Sequence, residues 1–277
     1  MKTNFLPEME AIAREAGTLL LDYFERHVSF EYKVDVDLVT EADREAEALI
    51  ARRIRRNWPQ HDLICEEGAR HEGGGDYCWY VDPLDGTTNF AHGFPYFCVS
   101  LGLAYQGELV AGVLYDPTRD ELFAAGKSRG AVLNGRAIHV SAVRRLGEAL
   151  LATGFPTHER NDNPNIHYYH HFTMRSHGIR RAGAAALDLT AVACGRVDGY
   201  WEFSLKPWDT AAGVLLVREA GGTVTRFDGS PWRMDSRETL ATNGLIHEEM
   251  AREFTASFVG HKMEPLPTVE KYAKERV

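Results

Sequence analysis

Three apolar segments in the middle of the chain, residues 97–105, 109–115 and 121–125, are separated only by short turn-forming sequences. These turns are Gln106-Gly107 and Asp116-Pro117-Thr118-Arg119, both typical of tight connections between strands. Strands joined so closely pair with their neighbours in the antiparallel direction. The centre of the chain therefore predicts an antiparallel meander, and the fold has to be built around a sheet.

Segments with helical periodicity lie on both sides of this central region. They occupy residues 7–27, 40–58, 184–194, 209–220 and 248–258. Further strand-like segments alternate with them, at residues 63–65, 79–81, 150–153, 199–203 and 223–227. Alternating helices and strands, with hairpins in the middle, predict an α/β layered architecture with mixed sheets.

The composition argues against several functional classes. The formal net charge of −9 argues against a nucleic-acid partner held on a basic face. The chain contains no apolar run approaching the roughly 18 residues of a membrane span, and its N-terminal sequence has acids where a signal peptide has an apolar run. The four cysteines form no CxxC pair, which is typical of reduced thiols. We therefore expect a cytoplasmic protein with no nucleic-acid or membrane partner.

Acidic side chains follow two of the predicted strands at the point where each strand ends. Glu66 and Glu67 come directly after residues 63–65, and Asp82 and Asp85 follow residues 79–81. Each pair alone would be explained by a solvated loop or a turn. Neighbouring strands lie only about 4.8 Å apart, so acids at their ends can converge on one point. Carboxylates packed together repel unless a cation neutralises them, and hard cations such as Mg²⁺ prefer oxygen ligands.

The residues after Asp85 are suited to binding an anion. Gly86-Thr87-Thr88-Asn89 is typical of the start of a helix, where a glycine permits close approach and free N–H groups can face an anion. Metal ions beside an anion-binding helix start are the arrangement of a phosphate-ester hydrolase. The two features together predict that chemistry.

Six segments of the chain resemble the inositol monophosphatase family of Mg²⁺-dependent, lithium-sensitive phosphatases. They fall in family order along nearly the whole chain: DLVTEAD at 37–43, ICEEG at 64–68, WYVDPLDGTTNF at 79–90, GAVLNGRAIHVS at 130–141, RAGAAALDLTAVACGRVDGYWE at 181–202 and KPWDTAAGVLLVREAGG at 206–222. The resemblance implies a layered αβαβα sandwich with mixed, largely antiparallel sheets. It also implies a small-molecule phosphomonoester as substrate and a homodimer.

The resemblance implies two or three Mg²⁺ ions in each active site. The first ion would be held by Glu66, Asp82 and the carbonyl oxygen of Leu84. The second would be held by Asp82, Asp85 and Asp209. Glu66 would also bear on a third, more weakly held ion.

The resemblance also implies residues that bind the substrate and activate water. Thr87, hydrogen-bonded to Asp43, would help to activate the attacking water, and Glu66 acts in catalysis through the ion that it holds. The backbone N–H groups of Gly86 and Thr87 would cradle the phosphate. Glu202 matches an acid that binds substrate hydroxyls. Ala184 lies on the substrate side, where the family usually has a serine.

Some of these residues also have simpler interpretations. By itself Asp209, which precedes an apolar helical run, would be an N-cap, and Asp43 would be the acid of a capping box. The histidines of the segment IHYYHH are flanked by no partner acids, so we expect residues 166–171 to form a surface helix or part of the substrate rim.

We expect one compact catalytic unit made of two lobes. Residues 1–141 would form an N-terminal α/β lobe with most metal ligands, residues 142–260 a C-terminal α/β lobe with Asp209 and the substrate side, and residues 261–277 a peripheral tail. The predicted substrate is inositol monophosphate. Fructose-1,6-bisphosphate, 3′-phosphoadenosine 5′-phosphate and histidinol phosphate remain alternatives with the same chemistry. An added protein-binding role is a further alternative, because some bacterial members of the family bind the transcription machinery.

Overall fold

The computed structural model describes residues 4–26, 30–34, 37–156 and 163–258. The helices are α1 Leu6–Glu25, α2 Glu41–Asn57, α3 Thr87–Ala91, α4 Asn165–Thr173, α5 Ala185–Ala193, α6 Pro207–Glu219 and α7 His247–Phe258, with a 3₁₀ turn at Leu146–Glu148. The strands are β1 Phe30–Val34, β2 Asp37–Thr40, β3 Asp62–Cys65, β4 Arg70–His71, β5 Tyr77–Asp85, β6 Cys98–Tyr105, β7 Glu108–Asp116, β8 Glu121–Gly126, β9 Ala131–Leu133, β10 Arg136–Ile138, β11 Leu150–Thr153, β12 Gly178–Arg180, β13 Gly199–Phe203, β14 Thr223–Thr225 and β15 Glu238–Thr242.

Two mixed sheets form the body of the molecule, together with a small hairpin of β1 and β2. The larger sheet has eight strands in the order β10-β9-β8-β7-β6-β5-β3-β4, and all its neighbours are antiparallel except β3 and β5. The smaller sheet has the order β12-β11-β13-β15-β14, with β11 parallel to both of its neighbours. The predicted meander is confirmed as β6, β7 and β8. The two sheets come from consecutive parts of the chain, and the predicted lobe boundary at residue 141 stays a prediction.

The helices lie in three layers around these sheets. Helices α1 and α2 cover the outer face of the larger sheet, where Ile12 and Ile50 pack in one core with Trp79. Helices α5 and α6 lie between the sheets, in a second core that contains Phe123 of the larger sheet and Tyr200 of the smaller one. A third core joins α4 and α7 to the outer face of the smaller sheet, through buried side chains that include Tyr168, Phe172, Trp201 and Phe254. The predicted αβαβα sandwich is therefore confirmed.

Two glycines of the larger sheet set the distance at which α6 packs. A Cβ atom on Gly102 would lie 2.5 Å from Cβ of Ala211, and one on Gly112 would lie 2.9 Å from Cα of Ala212. Any side chain at either position would push the helix away from the sheet. This close approach places Asp209, near the start of α6, beside the ends of the central strands.

Several elements differ from the prediction. Strand β5 continues to Asp85 instead of ending at residue 81, and β14 ends at Thr225. Strand β15 and the β1–β2 hairpin were not predicted. The histidine-rich segment forms α4, whose Tyr168 and Phe172 are fully buried, so it is a packed helix and not merely a surface one. The predicted tail at 261–277 lies outside the described residues. No helix in the described ranges is both long and apolar enough to cross a bilayer.

Candidate active site

The two aspartates of the DPLD sequence lie on the same strand, on either side of an irregularity. In the pairing of β5 with β6, Asp82 lies opposite Ser100 and Asp85 lies opposite Cys98. The two residues between the aspartates on β5 therefore face a single residue on β6. The second residue of the sequence is Pro83, which has no N–H to donate to a ladder. The Leu84 N–H turns back to Oδ1 of Asp82 at 2.9 Å. This bulge brings both carboxylates to one end of the sheet.

Glu66 lies beside Asp82 because β3 runs parallel to β5. Cys65 pairs with Val81, and the Glu66 N–H donates to the Val81 carbonyl at 3.1 Å. The charge of Glu66 acts on Asp82, so the two side chains lie within electrostatic range of each other. Carboxylates this close repel each other unless a proton or a cation neutralises them. The convergence expected of acids at the ends of neighbouring strands is therefore present for this pair.

Asp209 reaches the same cluster from the middle layer of helices. It is the third residue of α6, and its Oδ2 accepts a hydrogen bond from the Lys206 N–H at 2.7 Å. It is thus not the N-cap residue that the local sequence suggests, because Lys206 occupies that position. The charges of Asp209 and Asp85 act on each other. Both side chains are half-buried, whereas Asp82 is 2% exposed.

The acids of this cluster hold their protons unusually tightly. Burial, followed by the charges of Glu66, Asp85 and Asp209, raises the pKa of Asp82 well above its ordinary value. Burial, with the charge of Glu66 adding to it, raises the pKa of Asp85 to about 7, although the Ala186 N–H acts in the opposite direction. Burial is also the main cause that raises the pKa of Asp209 to about 8. A cation among these groups would relieve their repulsion.

The donor set fits a hard divalent cation in its chemistry. It consists of four carboxylates, Glu66, Asp82, Asp85 and Asp209, and the carbonyl of the buried Leu84. Within the described ranges, no three histidine, cysteine, aspartate or glutamate side chains are closed around one point as a preformed metal site. Asp82, Asp85 and Asp209 each accept a hydrogen bond from a backbone N–H group. A cation would have to take them from these hydrogen bonds.

Thr87 and Asp43 meet next to this cluster. The Thr87 hydroxyl lies 3.3 Å from Oδ1 of Asp43 and 3.0 Å from the Leu84 carbonyl oxygen. Asp43 is 1% exposed and is the acid of a capping box, since its Oδ2 accepts from the Thr40 N–H at 2.7 Å. Asp43 therefore caps α2 and contacts Thr87 at the same time.

Gly86 needs a backbone conformation that other residues avoid. It precedes α3 with a φ of +95°, in the left-handed region. A Cβ atom there would lie 2.9 Å from the Tyr96 carbonyl oxygen and 3.3 Å from Cβ of Ala184. Ala184 is 1% exposed, so its methyl group is buried against this turn and is not open to the cleft.

Asp85 and Asn89 join the DGTTN segment to the start of α5, a link that the sequence did not predict. Ala184 is the N-cap of α5 and has no side-chain oxygen to cap it. Oδ2 of Asp85 instead accepts from the Ala186 N–H at 2.7 Å. Nδ2 of Asn89 donates to the carbonyls of Tyr96 at 2.8 Å and of Ala182 at 3.0 Å.

Glu202 lies on β13 of the smaller sheet. It is 7% exposed, and its Oε2 accepts a hydrogen bond from the Tyr200 hydroxyl. Burial raises the pKa of Glu202 to about 7. Its charge raises the pKa of both Asp85 and Asp209, which places it within electrostatic range of the acidic cluster.

Comparison with known proteins agrees with this architecture. Residues 2–258 match the inositol monophosphatase family. The chain is 49% identical to an inositol-1-monophosphatase of Synechocystis sp. over 80% of its own length and 78% of the relative's. It is 47% identical to the Nus factor SuhB of Pseudomonas aeruginosa over 83% of its own length and 88% of that protein's. The solved structure of an inositol monophosphatase from Anabaena (Nostoc) sp. superposes with a TM-score of 0.82 at 43% identity, covering 91% of this chain and 97% of the other. The chain therefore belongs to the inositol monophosphatase family, and it is a phosphatase.

Proposed function

We propose that the protein is a Mg²⁺-dependent phosphomonoesterase that hydrolyses inositol monophosphate by in-line attack of a water molecule. The observation that carries this proposal is the acidic cluster. Strand β5, the turn after β3 and helix α6 bring four carboxylates to one end of the larger sheet, where burial and mutual repulsion raise the pKa of Asp82, Asp85 and Asp209. Such a cluster is stable in its charged form when cations bind it.

Two ions account for the arrangement of the donors. Glu66, Asp82 and the Leu84 carbonyl would hold one Mg²⁺, and Asp82, Asp85 and Asp209 would hold the second. Glu66 would also bear on a third, more weakly held ion. When bound, the ions supply Lewis acidity that polarises the phosphoryl oxygens and makes the attacking water more acidic.

The chain's own groups orient the water and the phosphate. The Thr87 hydroxyl proton can go to Asp43 or to the nearer Leu84 carbonyl. With the Leu84 carbonyl on a metal ion, the hydroxyl would donate to Asp43 and its oxygen would accept a hydrogen bond from the attacking water. Asp43 is held in place by its hydrogen bond from the Thr40 N–H. The first N–H groups of a helix have no partner within it, so those of Gly86 and Thr87 can bind phosphate oxygens.

Glu202 would accept hydrogen bonds from the hydroxyl groups of the substrate. Its charge acts on Asp85 and Asp209, so it would lie within reach of a substrate whose phosphate binds at Gly86. Ala184 is buried against Gly86, so it would shape this side of the substrate site through that contact. Inositol monophosphate is favoured over the alternative substrates by the name of the relative from Synechocystis sp..

A substrate panel tests this proposal. The purified protein, saturated with Mg²⁺, is assayed for phosphate release from inositol 1-phosphate, fructose-1,6-bisphosphate, 3′-phosphoadenosine 5′-phosphate, histidinol phosphate and p-nitrophenyl phosphate. We expect the highest kcat/KM with inositol 1-phosphate, and inhibition by lithium. A higher value with another ester would reassign the substrate, and no release from any of them would refute the enzyme. Light scattering on the same sample tests the proposed homodimer.

A protein-binding role is the second candidate, since one of the relatives is named a Nus factor. It is tested by coelution of the purified chain with purified bacterial RNA polymerase. A role separate from catalysis predicts that Asp85→Asn abolishes hydrolysis and leaves coelution unchanged. The absence of coelution with the wild-type chain would eliminate this candidate.

Glu47 supports the turn that carries Glu66. It is buried on α2, and its two carboxylate oxygens accept from the N–H groups of Glu67 and Ala69, both at 2.8 Å. Glu47→Gln replaces one of these acceptors with an amide NH₂ that faces an N–H donor. We expect the Mg²⁺ concentration for half-maximal activity to rise by about tenfold or more, measured by titrating Mg²⁺ at fixed substrate concentration.

Glu219→Gln is the matched control for this experiment. The Glu219 carboxylate also binds backbone N–H groups, those of Ser128, Arg129 and Gly130, at 2.8 to 3.0 Å. It lies outside the acidic cluster, so its substitution should lower thermal stability without changing the Mg²⁺ requirement. Equal Mg²⁺ requirements in the two variants would show that Glu47 does not position the metal ligand.

A further inference from the structure

Asn165, the first residue of α4, is a fully buried amide with all of its polar atoms paired. Its Nδ2 donates to the Gly154 carbonyl at 2.6 Å and to Oγ1 of Thr153 at 2.9 Å. Its Oδ1 accepts from Nε1 of Trp201 at 2.6 Å. Burying an amide costs free energy unless each group finds a partner, so this side chain fixes the groups around it.

The partners of Asn165 lie on two neighbouring strands. Thr153 is the last residue of β11, and Trp201 lies opposite it on β13. The Thr153 hydroxyl donates in turn to the Trp201 carbonyl at 2.7 Å. Asn165, Thr153, Gly154 and Trp201 are thus linked by hydrogen bonds that hold the end of β11 against β13.

Thr153 is followed by Gly154, just past the end of β11, and Trp201 is followed by Glu202 on β13. Gly154 and Glu202 are in direct contact. A Cβ atom added to Gly154 would overlap the Glu202 carboxylate. The carboxylate therefore rests on the bare Cα of Gly154, and its Oε2, the atom nearest to a Cβ at that position, accepts a hydrogen bond from the Tyr200 hydroxyl. The position of the Gly154 backbone sets where the Glu202 carboxylate can lie.

We propose that Asn165 is a positioning residue for recognition of substrate hydroxyl groups. By holding the Gly154 carbonyl it fixes the surface on which the Glu202 carboxylate rests. This inference rests on the proposed function, in which Glu202 binds hydroxyls of the substrate. Asn165 contacts none of the groups that bind the phosphate or the metal ions, so its effect is confined to substrates that reach Glu202.

The test compares a phosphate ester that has hydroxyls with one that has none. Asn165→Asp and Thr153→Val each remove part of the network, and the second keeps the shape of the side chain. For both variants we expect KM for inositol 1-phosphate to rise by roughly tenfold, the equivalent of one hydrogen bond to a charged group. We expect kcat/KM for p-nitrophenyl phosphate to stay within about twofold.

Asn243→Asp is the matched control. Asn243 is also buried in this half of the molecule, and its Nδ2 donates to Oγ of Ser141 and to the Val143 carbonyl at 2.9 and 2.8 Å. It should lose thermal stability like Asn165→Asp but keep the wild-type ratio of the two activities. The proposal would be overturned if the Asn165 and Thr153 variants lost kcat/KM equally for both esters. It would also be overturned if neither ester showed a change in kcat/KM.

The Glu202→Gln background separates this inference from the function on which it rests. If both are right, Glu202→Gln raises KM for inositol 1-phosphate, and adding Asn165→Asp changes it little further, because the two residues act as one unit. If Glu202→Gln raises KM and the effects are fully additive, only the role of Asn165 fails. If Glu202→Gln changes neither ester, the role of Glu202 fails and that of Asn165 fails with it.

Discussion

We expect Asp209→Asn to lower kcat for inositol 1-phosphate by orders of magnitude while the protein remains folded. The substitution keeps the size of the side chain but removes a negative charge that the proposed second Mg²⁺ requires. An amide oxygen is a weaker ligand than a carboxylate, so the ion would be held less tightly and its Lewis acidity would be less well placed. Asp85→Asn should have the same effect, because both aspartates are proposed to bind the same ion.

The fold should tolerate this change for a local reason. The asparagine side chain that replaces Asp209 would keep an oxygen that can accept from the Lys206 N–H, the hydrogen bond that the aspartate makes at 2.7 Å. The rest of α6 is anchored by buried apolar residues such as Val214 and Leu216. Circular dichroism and thermal melting of the variant should therefore match those of the wild type or show a more stable metal-free protein.

Asp228→Asn is the matched control for the loss of charge. Asp228 also accepts one backbone hydrogen bond, from the Ser230 N–H at 2.9 Å, and it is not among the acids that raise each other's pKa. Steady-state assays should give it wild-type rates. A wild-type rate in Asp209→Asn or in Asp85→Asn would refute the assignment of that residue as a metal ligand.

The first half of the acidic cluster could be predicted from sequence because its geometry is local. Glu66 directly follows β3 and Asp82 directly follows the apolar run of β5, and the parallel pairing of Cys65 with Val81 places them side by side. The sequence did not predict that β5 continues to Asp85, because the bulge depends on the pairing with β6. Apolar runs predict where a strand is buried, and this strand continues past its apolar run.

Asp209 could not be placed by spacing or periodicity. Its position depends on α6 packing closely over Gly102 and Gly112, a contact between parts of the chain more than ninety residues apart. Only the resemblance to a family indicated its role. The contact of Asp85 with the Ala186 N–H and the contacts of Asn165 were not predicted from the sequence or from the resemblance. The partners of Asn165, Gly154 and Trp201, come together only in the smaller sheet. Strand β15 was missed for a similar reason, since the short sequence ETLAT becomes a strand through its pairing with β13 and β14.

The second large effect that we expect is on stability, in the dependence of the metal-free protein on pH. A carboxyl group whose pKa is higher in the folded chain than in the unfolded chain binds its proton more tightly when folded. Asp85, with a pKa of about 7, and Asp209, with a pKa of about 8, both start from an ordinary value of 3.8. Their protons therefore contribute stability that is complete below the ordinary value and is lost as pH rises through 7 and 8.

Surface acids act in the opposite direction at lower pH. Hydrogen bonds from Arg53 and from Arg196 lower the pKa of Glu8 and of Glu121. The stability that these groups contribute is present above their ordinary pKa and is lost as pH falls below it. The melting temperature of the chelated protein should thus be highest at about pH 4 to 5 and fall towards about pH 8.5.

Mg²⁺ should reverse the fall at high pH, because the ions and the protons compete for the same oxygens. A ligand that binds only the folded state stabilises it by about 2.7 kcal/mol at one hundred times its Kd. Melting curves in chelator and in saturating Mg²⁺ should therefore diverge most at about pH 8.5 and least at about pH 5.5. Asp209→Asn should reduce the gap between the melting temperatures in Mg²⁺ and in chelator at pH 8.5, and Asp228→Asn should leave that gap unchanged. An equal Mg²⁺ effect at both pH values, or a flat profile in chelator, would show that the raised pKa values of Asp85 and Asp209 do not govern the stability of the metal-free fold.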